Sequence, residues 1–260
     1  MFMSWERQMA PMLNKVPEVT LIFWTIKILS TTVGETGADY LAVHVGLGAN
    51  WTALCMASLL IAALILQLRT RRYVPWIYWL TVVLVSIVGT QVTDLLTDKF
   101  EISLYVSTAM FACVLAATFA IWFAIERTLS IRSIVTTRRE LFYWAAILFT
   151  FALGTAAGDL ATEAFGLGFQ LGVTVFGVLI AFVAVFYRLG TNPVLSFWLA
   201  YILTRPLGAS LGDLLSQSRN YGGLGLGTVH TSLVFVTVIV ALVAWVTFEG
   251  ERAETAKPAP

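Results

Sequence analysis

A chain of 260 residues that is 58% hydrophobic and only 12% charged, with a mean hydropathy of +0.84, falls outside the ordinary soluble globular class. A formal net charge of +1 gives no reason to expect a nucleic-acid partner. The apolar residues come in runs of membrane length, so the lipid bilayer is the expected surrounding.

In chain order, Met1–Lys15 is mixed and weakly basic, and Met1–Leu13 reads as a short helix lying on the membrane surface with Trp5 toward lipid. A cleaved signal peptide is rejected, because the first apolar run carries the first copy of the motif described below. Membrane spans are predicted at about Val19–Val33, Trp51–Leu68, Val74–Val92, Ser103–Ile125, Leu141–Ala157, Phe169–Tyr187, Val194–Leu211 and Val229–Phe248. A span needs about 20 apolar residues, so the shorter runs must continue into their polar flanks. The odd-numbered helices are expected to begin near Pro17, Pro75, Glu140 and Pro193, since proline suits a first helical turn. The tail after Gly250, with Pro258 and Pro260, is expected to be disordered. The organisation is thus a surface segment 1–16, one all-α membrane domain 17–250 and a tail 251–260.

Arg69, Arg71 and Arg72, then Arg127, Arg132, Arg138 and Arg139, then Arg188, fall on one side of an eight-span topology. Arg7, Lys15, Arg252 and Lys257 join them, and the other side keeps Lys99 and Arg219. The positive-inside rule then puts both termini in the cytoplasm. Cys55 and Cys113 fall within spans and are expected to be buried small residues, not a disulfide.

One pattern occurs four times: Trp, nine residues, Gly, four residues, Asp. The copies are Trp24–Gly34–Asp39, Trp79–Gly89–Asp94, Trp144–Gly154–Asp159 and Trp198–Gly208–Asp213. They start 55, 65 and 54 residues apart, which marks a duplicated unit of two spans, with repeats at about 17–70, 73–128, 138–189 and 192–249. A two-span unit returns to its starting side, so the copies are parallel and related by an axis along the membrane normal. That excludes inverted repeats. The odd helices carry the polar residues and are expected around the centre, with the even helices toward lipid. At ~100° per residue, Trp and Asp of one copy lie within about 60° on the helix surface. The Trp residues are open to two readings, an interfacial belt or interior packing. The small residues around each Asp point to close helix packing or a helix break.

Asp98 and Glu163 follow Asp94 and Asp159 by four residues, and Glu35 precedes Asp39 by four, which pairs acids on one helix face. Carboxylates held in an apolar bundle need protons, a metal cation or a basic side chain. Lys27 and Arg205 are the basic candidates, as salt-bridge partners of a neighbouring copy's Asp or as counter-ions that compete with a substrate cation. Arg205 precedes Pro206, where a kink is expected. His44 and His230 are weaker candidates for ligating a divalent metal beside Asp39, Asp94, Asp159 and Asp213.

The four W-x9-G-x4-D units resemble a bacterial inner-membrane family built from four such repeats and described as predicted membrane-anchored proteins of unknown function. The resemblance covers Pro17 to Gly250, and the first copy departs from it with Ala38-Asp39-Tyr40 where the others read Asp-Leu. It implies the eight-helix repeat architecture and an inner-membrane location, and no activity.

From the residues, the leading expectation is a transporter of small cations, most plausibly a manganese-like divalent metal, coupled to protons through Asp39, Asp94, Asp159, Asp213, Glu35, Asp98 and Glu163. A carrier or channel for a small organic solute and a non-transporting membrane partner or sensor are the alternatives. No enzymatic motif is present, no cofactor is required, and a homo-oligomer is compatible with the composition.

Overall fold

The computed structural model describes residues 14–41 and 48–255, and within them the chain is a bundle of eight α-helices without a strand. The helices are Leu21–Asp39 (α1), Gly48–Arg69 (α2), Pro75–Asp94 (α3), Leu104–Glu126 (α4), Thr137–Asp159 (α5), Gly168–Arg188 (α6), Pro193–Ser216 (α7) and Thr228–Thr255 (α8). Seven of them are long and apolar enough to cross a membrane. The remaining one, α1, has 19 residues and carries Lys27 and Glu35 along its length. The surface helix expected over Met1–Leu13 and the candidate ligand His44 lie outside the described residues.

Local signals account for the helix starts. Pro75 and Pro193 open α3 and α7, and Asn192 accepts hydrogen bonds from the amides of Val194 and Leu195. The other two odd helices begin with threonine caps: Thr20 accepts from the Phe23 amide and Thr136 from the Arg139 amide. Pro17 therefore lies ahead of α1, and Glu140 lies within the first turn of α5.

The odd helices form a closed ring in which α1 touches α3, α3 touches α5, α5 touches α7 and α7 returns to α1. In the apolar windows of α3, α5 and α7, 61% of residues are buried, against at most 22% in α2, α4, α6 and α8. Inner and outer layers are thus separated as the polar residues of the odd helices predict. The even helices, however, pack on the following repeat: α2 lies on α3, α4 on α5, α6 on α7, and α8 closes the circle on α1.

Two further contacts follow the same cyclic order. Each motif Gly faces the residue three places before the motif Gly of the next copy: Gly34 meets Ser86, Gly89 meets Phe151, Gly154 meets Arg205 and Gly208 meets Thr31. A β-carbon on any of the four would overlap these side chains, so glycine is what lets the ring helices approach. The aromatic residue before each motif Trp also reaches the next copy's Trp. Ring centroids are 5.5 Å apart for Phe23–Trp79 and Tyr78–Trp144, 6.2 Å for Tyr143–Trp198 and 5.7 Å for Phe197–Trp24. Eight aromatic rings thereby close a belt around the bundle axis, with centroid spacings suited to edge-to-face and tilted packing. Trp79, Trp144 and Trp198 are buried, which settles the two readings of the tryptophans in favour of interior packing.

Three expectations are corrected. Cys55 and Cys113 are free thiols, but they are exposed on α2 and α4, whose outer faces carry no protein cover. Lys15, assigned to a surface segment, is buried: its ammonium pairs with Glu140 at 2.6 Å and donates to the Leu68 carbonyl at 3.2 Å, while Gln67 donates to the other Glu140 oxygen at 3.1 Å. This network ties residue 15 to the end of α2 and the start of α5. Finally, α8 continues to Thr255, past the boundary at 250, because Glu249–Thr255 contains no helix breaker except Gly250.

Candidate functional site

The motif carboxylates lie at the far end of the ring from the aromatic belt. Asp39, Asp94 and Asp159 are the last residues of α1, α3 and α5, and Asp213 lies in the last turn of α7. The helices do not break at the glycines. Instead the chain widens just past the Asp into π-helical turns, at Leu95–Lys99 and Leu160–Ala164 and at Tyr40 and Leu41. Such turns are frequent where a helix serves a site. Repeat four differs, because α7 remains α-helical through Pro206 to Ser216.

Between these ends is a cavity of about 480 Å³. Glu35, Asp94, Asp159 and Asp213 line it, and Asp98, Glu101 and Glu163 stand at its exposed edge. Thr97, Ser103 and Gln217 add neutral polar groups, and Ile102, Leu104 and Phe169 add apolar ones. The structure therefore brings together six of the seven carboxylates singled out in the sequence. Asp39 ends α1 at the equivalent backbone position, and its side chain lies outside the described residues. Glu101 was not anticipated: it sits in the α3–α4 connection at φ 52°, where no repeat position pointed to it. His230 is exposed at the start of α8 and does not line the cavity, so the expectation that it ligates beside the acids is not met. Among the described residues, no three His, Cys, Asp or Glu side chains converge closely enough to grip one metal ion directly.

Arg205 does not line the cavity but reaches it through Glu35, and it is fully buried. Its Nη1 donates to the Thr31 carbonyl at 2.9 Å, and its Nη2 donates to Glu35 Oε2 and Thr155 Oγ1, both at 2.8 Å, and to Thr90 Oγ1. Glu35, Thr90 and Thr155 each follow the motif Gly of their copy, so three repeats present one equivalent position to a single guanidinium. The fourth copy has Ala209 there. Gly154 provides the space for the β and γ carbons of Arg205. The expected salt bridge exists, with Glu35 as the partner in place of a motif Asp. A signal for this is present in the sequence: Arg205 lies three residues before its motif Gly and those positions one residue after theirs, one helical turn apart.

Lys27 does not serve the carboxylates as expected. Its ammonium lies 4.0 Å from the Phe151 ring centre and 4.2 Å from that of Tyr201, with no hydrogen-bond partner among the described residues. The reason is distance along the helix: Lys27 precedes Glu35 by eight residues, or about 12 Å of rise, which leaves it next to the aromatic belt. Cation–π contact with two rings replaces the carboxylate. At the opposite bundle end, Glu126 binds Arg138 at 2.5 Å and Arg139 at 2.6 Å. There burial pushes the Tyr73 phenol above its ordinary range, while its oxygen accepts from Trp79 Nε1 at 3.1 Å.

Comparison with known proteins returns the repeat. No curated protein and no solved structure matches the chain. One family model, described as Repeat of Unknown Function (DUF347), matches residues 22–73, 77–128, 142–191 and 196–251. Each match spans one odd helix with the even helix after it. With four consecutive copies over most of its length, the chain belongs to the DUF347 repeat family.

Proposed function

We propose that this protein crosses a bacterial inner membrane eight times, α1 included, with both termini cytoplasmic, and transports small cations through the acidic cavity. One observation carries the reading: each of the four repeats contributes a carboxylate to the same cavity, as Glu35, Asp94, Asp159 and Asp213. Buried helix ends in lipid hold acids at a cost, and interhelical polar contacts average only ~0.6 kcal/mol, a modest reason to gather four of them. With the basic loops inside, the cavity opens to the outer face, and the aromatic belt separates it from the cytoplasm.

The spacing of the acids favours a cation that keeps its water. Six waters take roughly 180 Å³, which leaves room in a cavity of about 480 Å³. Hard ions such as magnesium and manganese retain water and are held by a few carboxylates. Charge balance allows such an ion to exchange against protons on the same groups. A second reading, a small organic ammonium ion, is favoured by Phe169, Ile102 and Leu104 in the lining, which suit a hydrocarbon body.

Purified protein in liposomes, offered Mn²⁺, Mg²⁺, Zn²⁺ and a methylammonium series, separates these readings by which flux appears. Asp94→Asn, Asp159→Asn and Asp213→Asn should each reduce that flux about tenfold or more, with folded protein retained. Unchanged flux in all three, together with a lowered Tm, would instead make the acids structural and the protein a non-transporting membrane component.

A further inference from the structure

We infer that Arg205 is a tethered cation occupying Glu35 when the cavity is empty, and that an entering cation must release it. The inference rests on the cation-transport reading and adds what sets the affinity of that site.

Three features carry it. First, Glu35 is shared: its Oε2 accepts from Arg205 at 2.8 Å, yet the residue also lines the cavity. The Arg205 side chain is wholly buried while that of Glu35 is 10% exposed, so Glu35 is the point where the buried charge meets the cavity. Second, among the described residues the other partners of the guanidinium are neutral, being the Thr31 carbonyl and the Thr90 and Thr155 hydroxyls, and Nε has none. Glu35 is thus the carboxylate seen in direct contact with it among the described residues, and one carboxylate cannot fully neutralise both a guanidinium and a cation entering beside it. Third, release leaves the guanidinium with hydrogen-bonding partners. Thr90 lies on α3, beside α1 in the ring, and Thr155 on α5, across the ring from α1, and both can hold Nη2 after Glu35 turns to the cavity. The stem of Arg205 is seated against Gly154, so the exchange is confined to the end of its side chain and to Glu35.

Arg205 therefore acts as a positioning residue: it keeps Glu35 engaged until a cation arrives, weakens binding of that cation and eases its departure. The test uses the full chain in detergent with Mn²⁺ as the probe, bound ion being read from the loss of the free Mn²⁺ paramagnetic resonance signal. Arg205→Gln should bind Mn²⁺ roughly tenfold tighter, the low end of coupling between close desolvated charges. In liposomes its KM and its maximal flux should both fall, whereas a merely structural role would lower flux without tightening binding. Arg205→Lys keeps a charge but not the planar fork, so its affinity should lie between those of wild type and Arg205→Gln. It also carries the test if Arg205→Gln does not elute as a folded species. Unchanged or weaker Mn²⁺ binding by the folded variants, beside clear binding by wild type, overturns the inference alone. No Mn²⁺ binding by wild type, with methylammonium flux also absent, overturns the transport reading on which it stands.

Discussion

The two ends of the ring are built from the same four helices and obey opposite rules. At the aromatic end the copies are interchangeable: each Phe or Tyr meets the next Trp, and the circle closes from Phe197 to Trp24. At the carboxylate end they are not. Repeat one supplies Glu35, repeats two and three supply Asp94 with Asp98 and Asp159 with Glu163, and repeat four supplies Asp213 and the arginine. Packing in a closed ring rewards identical contacts, since each must fill the same gap between neighbours. A site for one small cation has no such requirement, and departures from symmetry there can set charge and shape. In this bundle, symmetry serves assembly and asymmetry serves the proposed chemistry.

Substitutions at either end of the ring test that contrast. The largest effect is expected from Gly34→Leu and Gly208→Leu, where even a β-carbon would overlap Ser86 and Thr31, so the cost lies well above the ~1–3 kcal/mol usual for overpacking. Neither variant should yield monodisperse protein in size-exclusion chromatography, and a well-folded one would refute the close approach of the ring helices. Trp144→Ala should cost about 3–5 kcal/mol, seen as a lower Tm in detergent, because the indole is buried between Tyr78 and Tyr143. Trp24→Ala should cost less, since Trp24 is only half-buried, and equal losses would mean that the belt is more uniform than described.

Smaller still is Tyr78→Phe. It removes the hydrogen bond between the Tyr78 and Tyr143 hydroxyls and should lower stability by about 0.5–1.5 kcal/mol while leaving cation flux unaffected. Flux loss at unchanged Tm would place a working role at the end described here as scaffold. At the bottom of the scale, Cys55→Ser with Cys113→Ser should change stability by less than about 0.5 kcal/mol, because both lie on uncovered outer faces. A larger drop in Tm would show that a partner surface covers α2 or α4.

Much of the scaffold was legible in the chain. Hydropathy marked eight helices, and the motif spacing assigned Trp and Asp to opposite ends of four of them. Pro75 and Pro193 mark two starts, while the other two are set by the caps Thr20 and Thr136 and not by Pro17 and Glu140. The Phe or Tyr before every motif Trp is equally visible in the sequence, and it makes half of the aromatic belt. For the site, the motif and i+4 positions located most of the cavity acids. They could not locate Glu101, which has no counterpart in the other copies, nor separate Lys27 from Arg205.

Sequence alone determined which residues are apolar, which helices carry charge and that one unit was copied four times, because these follow from local composition and period. Tertiary structure decided which copy meets which. A two-helix unit could fold its second helix back onto its first, and nothing local forbids that. Here each second helix lies on the next repeat and α8 returns to α1. Only that closure brings Glu35, Thr90 and Thr155 around Arg205 and turns four separate carboxylates into the lining of one cavity. The physical reason is that the contacts joining them span up to 174 positions in the chain, as between Arg205 and Thr31. No periodic pattern within one repeat encodes a neighbour at that distance.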